Sequence, residues 1–172
     1  MFNFRRPGSG DESAPPSPRS NQKRQSYRAS IEFPIVYVVD GREGTRTASA
    51  NDLSVGGLRL LGDEDFTKET VLDFRFTLPT AEVANIMIEK EVTERTAFGE
   101  RKRRVKMAPT PFEPFDLAGK IVIAFYNLRT QRFAHGVRFL NLTRKTEDEI
   151  QRFIHLYQLK QLRERAEREA NT

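Results

Sequence analysis

The sequence predicts a mainly β fold: a six-stranded antiparallel β-barrel with a C-terminal α-helix and a decorated insertion. Three observations predict it. Short runs rich in β-branched and aromatic residues recur between turn signals, as strands of a small barrel do. One of them, Val71 to Leu78, sets Leu72, Phe74, Phe76 and Leu78 on one face and Asp73, Arg75 and Thr77 on the other. Near the end, Ile150, Phe153, Ile154 and Tyr157 fall at helical spacing.

The elements follow in order. Residues 1–22 read as a disordered tail, because Pro7 to Gln22 is rich in Gly, Ser, Pro, Asp and Asn and holds little to bury. The tail runs into a basic knot, Lys23 to Arg28. The barrel domain is expected over 23–158 and a charged helix extension over 159–172. The first strand is Ile31 to Val39, where Pro34 indicates an edge position or a bulge. Asp40 to Gly44 is a turn. A more polar second strand covers about Thr45 to Leu53. Gly56-Gly57 breaks the chain, and Leu58 to Leu61 is a short third strand. Val71 to Leu78 is the fourth.

Residues 79–116 read as an insertion with an extra hairpin. Ala81 to Glu91 suits a short helix or a strand, Arg101 to Lys106 an exposed loop face, and Pro109, Pro111 and Pro114 punctuate the rest. Strands resume at Leu117 to Phe125 and Arg132 to Leu140, joined by a loop from Tyr126 to Gln131. Thr146-Glu147-Asp148-Glu149 has the spacing of a capping box at the start of the helix. Beyond Leu162 the helix is charged and reads as a solvated end, with partner or self-association through Leu156, Leu159 and Leu162 as the alternative.

Composition narrows the chemistry. At 172 residues and 37% hydrophobic the chain suits one core, and thirteen Phe with no Trp make that core Phe-rich. The net charge of +5 is offset by acids close in sequence, so no nucleic-acid partner is expected. The absence of Cys excludes disulfides, zinc-thiolate sites and thiol catalysis. His135 and His155 have no second ligand at metal spacing and read as packing or surface residues, so no metal and no cofactor are expected. No nucleophile is set beside a base, so the chain reads as not an enzyme. No apolar run reaches transmembrane length and no leader precedes the domain, which makes the cytoplasm the expected compartment.

Two motifs carry the functional reading: Arg24-x-x-x-Arg28, where the tail meets the first strand, and Asp52-x-Ser54-x-x-Gly57, between the second and third. Each has an ordinary reading too. The arginines suit a solvated linker, and Asp52 and Ser54 suit turn-formers that bond their own backbone. Together, in this order, with Gly136-Val137-Arg138-Phe139 and the apolar helix face after them, they resemble the signature of the PilZ domain family. The resemblance spans about Lys23 to Gln158, with the insertion longer than the family usually has.

The resemblance implies a six-stranded barrel that receives cyclic di-GMP and passes the signal to a protein effector, in motility, surface attachment or exopolysaccharide control. It implies Arg24 and Arg28 at guanine edges and phosphates, with Asp52, Ser54 and Gly57 on the barrel side. The chemistry agrees. Arg donates to guanine O6 and N7 together, and a carboxylate accepts from N1–H and the exocyclic amine. Gly57 is expected to allow close approach of the purine or a positive φ. Lys23, Arg59 and Arg138 form a second tier. A single-stranded nucleic-acid-binding barrel and a ligand-independent PilZ-like scaffold stand as alternatives.

Overall fold

The computed structural model describes residues 27–171. Nine strands and one helix occur there: β1 (Arg28–Ala29), β2 (Phe33–Val39), β3 (Arg46–Ser54), β4 (Gly57–Gly62), β5 (Val71–Phe76), β6 (Ile88–Thr96), β7 (Gly99–Met107), β8 (Phe115–Asn127), β9 (Arg132–Leu140) and α1 (Arg144–Ala170). The order β3-β2-β5-β8-β9-β4, with β4 returning to β3, closes six antiparallel strands into a barrel. The short β1 adds to β3, and β6 and β7 pair only with each other.

Alternation fills the barrel. Phe33, Ile35, Tyr37 and Val39 of β2 point inward, as do Leu72, Phe74 and Phe76 of β5. The core is Phe-rich: Phe76 lies 5.5 Å from Phe33 and, stacked, 5.5 Å from Phe115. Ile150, Phe153, Ile154 and Leu156 of α1 are buried in the same cluster, so the helix packs as part of the core.

Several expectations are corrected. β2 is not an edge strand, since it pairs with both β3 and β5; Pro34 is tolerated because the β5 register begins only at Val36. The helix starts one turn earlier than the capping-box reading. Thr143 is the N-cap, and its Oγ1 accepts from the Thr146 backbone N–H at 3.2 Å, which places Thr146 inside the first turn. Thr80–Val83 is a 3-10 turn, and Arg101 to Lys106 lies in strand β7 rather than in a loop. The insertion is also more than decoration at its base, because Val83, Ile86 and Phe112 join the core and Phe112 meets Phe153 edge-on at 5.4 Å. Leu156 is buried and Leu159 packs against the core, leaving Leu162 as the one exposed leucine of the three. The expected tail, residues 1–22, lies outside the described residues.

His135 is a packing residue, as expected, with a specific duty. It is buried, and its Nε2 accepts the Phe66 backbone N–H at 3.0 Å, which requires the neutral ring. Burial pushes its pKa down, against a weaker upward pull from Asp65. Below the ordinary imidazole pKa of about 6.5 the unfolded chain therefore takes up the proton first, and stability falls with pH from there toward the lowered folded value. Guanidinium unfolding at pH 7.5 and at pH 5.5 is expected to show the lower midpoint at pH 5.5. His135→Gln, which keeps an acceptor but does not titrate, is expected to flatten the difference.

Candidate functional site

The site begins with a defect in β3. Its register with β4 shifts between Asn51 and Ser54, and Asp52 takes a left-handed φ of 52° at that bulge. Asp is among the residues that tolerate this region. The bulge leaves the Asp52 carboxylate only partly exposed, where Oδ1 accepts from Ser30 Oγ at 2.9 Å and Oδ2 pairs with Arg59 Nη2 at 2.8 Å. Two residues on, Ser54 is buried and donates its hydroxyl to the Gly57 carbonyl at 2.9 Å, locking the tight turn into β4.

Gly57 answers a need beyond the two expected of it. Its φ is not positive, and the close approach is to the barrel itself. A Cβ there would lie 1.9 Å from the Val137 carbonyl oxygen of β9. The glycine lets β4 pair tightly with β9, which sets Arg138 directly opposite it. On the other flank Arg28, in β1, pairs opposite Ser54.

These residues share one open cavity of about 430 Å³. Arg28, Asp52, Ser54, Gly57, Arg59 and Arg138 all line it. Three guanidinium groups thus face one carboxylate, a balance that favours an anionic ligand with polar edges. The structure brings together every sequence-predicted site residue within its range; Lys23 and Arg24 lie outside the described residues. Among the described residues, no group of three or more His, Asp and Glu gathers to hold a metal, and no helix is long and apolar enough to cross a membrane.

Sequence reasoning missed the apolar wall of the cavity, formed by Val122, Ile123 and Phe125 beside Gly136. The cause is a second bulge, in β8. Ile121 pairs with Val137 but Ile123 with Gly136, so Val122 is an extra residue that reverses the alternation. Ile121 is buried, while Ile123 and Phe125 are turned out. The available signal was Gly136 inside a strand, which marks a close approach. A Cβ there would lie 2.5 Å from Ile123 Cγ2.

The class defined by this architecture is a small closed antiparallel barrel capped by a C-terminal helix, with a cation-rimmed cavity at one turn. The PilZ domain model matches residues 22–156, and the chain belongs to that family. Among solved structures, the chain is similar to the Bacillus subtilis inhibitor of motility MotI/DgrA, at 12% identity and a TM-score of 0.53. That match covers 83% of this chain and 56% of the other, so the chain spans little more than half of that protein. It is also similar to the PilZ domain with c-di-GMP of YcgR from Escherichia coli (17% identity, TM-score 0.46, 85% of this chain and 98% of that one). A third is the PilZ domain of CeSA from a cellulose-synthesizing bacterium (14% identity, TM-score 0.45, 76% and 96%). No curated protein matches the chain.

Gly57→Ala is expected to lower stability by about 1–3 kcal/mol, the usual cost of forcing atoms into a packed site, because the obstacle is backbone that cannot rotate away. Gly56→Ala, where an added Cβ meets nothing, is the control. Urea unfolding of the two variants measures the difference.

Proposed function

We propose that the chain is a non-catalytic cyclic di-GMP receptor whose ligand-bound form acts on a protein effector. The observation that carries this reading is the convergence of Arg28, Asp52, Ser54 and Gly57, with Arg59 and Arg138, on one cavity. Family membership supports it, since PilZ domains as a class receive this ligand.

The ligand presents two phosphates and two guanines, and the cavity offers a group for each feature. Arg28, joined by Arg24 from the segment before it, pairs with phosphate oxygens and with guanine O6 and N7. Asp52 accepts from guanine N1–H and the exocyclic amine, which requires Arg59 and Ser30 to yield the carboxylate they hold in the free protein. Arg59 then becomes available to a phosphate. Lys23 adds a further charge to attract phosphate, and Arg138 lines the cavity.

The output follows from what Ser30 also touches. Its carbonyl accepts the Tyr157 hydroxyl of α1 at 3.0 Å, so a ligand that takes Asp52 from Ser30 disturbs a residue bonded to the helix. The effector surface in this proposal is the one formed by the segment carrying Arg24 and Arg28 together with α1. Motility, surface attachment and exopolysaccharide control are the proposed settings. One chain of similar fold is named as an inhibitor of motility.

Isothermal titration with cyclic di-GMP tests the reading. The wild type is expected to bind. Arg28→Ala and Asp52→Ala each remove charge-assisted hydrogen bonds worth about 1.5–3 kcal/mol, a loss of roughly tenfold to a hundredfold in affinity. No heat from the wild type, or variants that bind as it does, would overturn the proposal.

A further inference from the structure

Among the described residues, the hairpin β6–β7 forms no ladder with the barrel and meets no other strand or helix over more than a few residues. Its register sorts its side chains into two unlike faces, because residues paired across an antiparallel ladder share a side. One face carries Glu89 opposite Lys106, Glu91 opposite Arg104, Thr93 opposite Lys102 and Arg95 opposite Glu100. It is a polar ladder with three acids against four cations, crossed by two ion pairs, Lys102 to Glu91 at 2.9 Å and Arg95 to Glu100 at 3.3 Å, and it holds no aliphatic residue.

The other face is different. It holds all the large aliphatic residues of the two strands: Ile88 opposite Met107, then Val105 opposite Lys90, then Val92 opposite Arg103. Ile88 packs at the base against the core, but Val92 and Met107 are exposed. Next come Glu94 and Arg101. Glu94, the one acid on this face, lies 3.9 Å from Arg103, while Lys90 and Arg101 have no carboxylate within ion-pair reach among the described residues. At the turn, Phe98 is fully exposed. Residues 88–107 hold seven Lys and Arg against four Glu.

We propose that this mixed face, with Phe98, is a contact surface for the anionic headgroup layer of a lipid bilayer. A two-stranded sheet with one apolar face uncovered is marginal in water, so the arrangement calls for a cover. A second copy of the same face is a poor cover, since it would set Lys90, Arg101 and Arg103 against their own kind. A headgroup layer suits it. Long cationic stems reach phosphates at differing depths while the aliphatic residues and Phe98 enter the interface, and no matched socket is required.

Co-sedimentation of the full chain with vesicles tests this, using phosphatidylcholine alone and phosphatidylcholine mixed with phosphatidylglycerol. Binding is expected only with phosphatidylglycerol and is expected to weaken as salt rises. The double variant Lys90→Gln/Arg101→Gln should lose roughly fivefold in partitioning per charge removed. Phe98→Ser should weaken binding while leaving its salt dependence unchanged. Arg104→Gln/Lys106→Gln, on the opposite face, should lose clearly less than the first pair. Failure to bind phosphatidylglycerol vesicles overturns the proposal, as does an equal loss from the two double variants. So does binding to polyglutamate as strong as to vesicles and indifferent to Phe98→Ser, which would assign the hairpin to an acidic polypeptide. Because the hairpin pairs only with itself, all variants should keep the wild-type Tm; a lowered Tm removes the premise and the proposal with it.

Discussion

The contact between the Gly57 backbone and the Val137 carbonyl is the constraint from which the rest of the molecule follows. Two strands far apart in sequence meet there at a distance that no side chain permits. The contact seals β4 to β9 and so completes the ring of six strands. It also fixes where the β3–β4 turn points, and that turn carries Ser54 and, through the bulge behind it, Asp52. A tight seam in the wall and a cavity rim are here the same few residues. Structure and chemistry therefore cannot be varied independently at Gly57.

From that seam a chain of hydrogen bonds leads outward. Arg59 and Ser30 hold the two oxygens of Asp52, and Ser30 is held in turn by Tyr157. Tyr157 stacks on Phe153, which is buried in the core. The carboxylate at the cavity is thus three contacts from the centre of the barrel, through partners that each have one hydroxyl or one ring to offer. Exposed ion pairs elsewhere, such as Arg75 with Asp116, link neighbouring strands and have little to do with this path.

The strands with plain alternation were legible in the sequence. β5 and β9 could be read because inward and outward residues differ sharply in polarity, and β9 matches its expected bounds, Arg132–Leu140. The site motifs were legible because turn residues with reactive side chains are few. What escaped reading depended on partners distant in sequence. Thr143 and Thr146 are equally good caps in isolation, and only the packing of the apolar helix face decides between them. The charge run Arg101 to Lys106 is drawn into a strand by β6 across from it, an influence that local composition does not reveal. The seam at Gly57 escaped reading because the neighbour it meets, Val137, lies eighty residues on.

The extra residue in β8 makes that strand behave as if it had a reading frame. Upstream of Val122 the odd-numbered positions Phe115, Gly119 and Ile121 are buried; downstream, Ile123 and Phe125 face out. Removing Val122 would leave Ile123 opposite Gly136 and facing out as before, whereas pairing Val122 in register with Gly136 would carry Ile123 and Phe125 toward an interior already filled. The wall therefore depends on Val122 staying outside the ladder: its loss would be silent downstream, but its entry into register would turn the wall inside out.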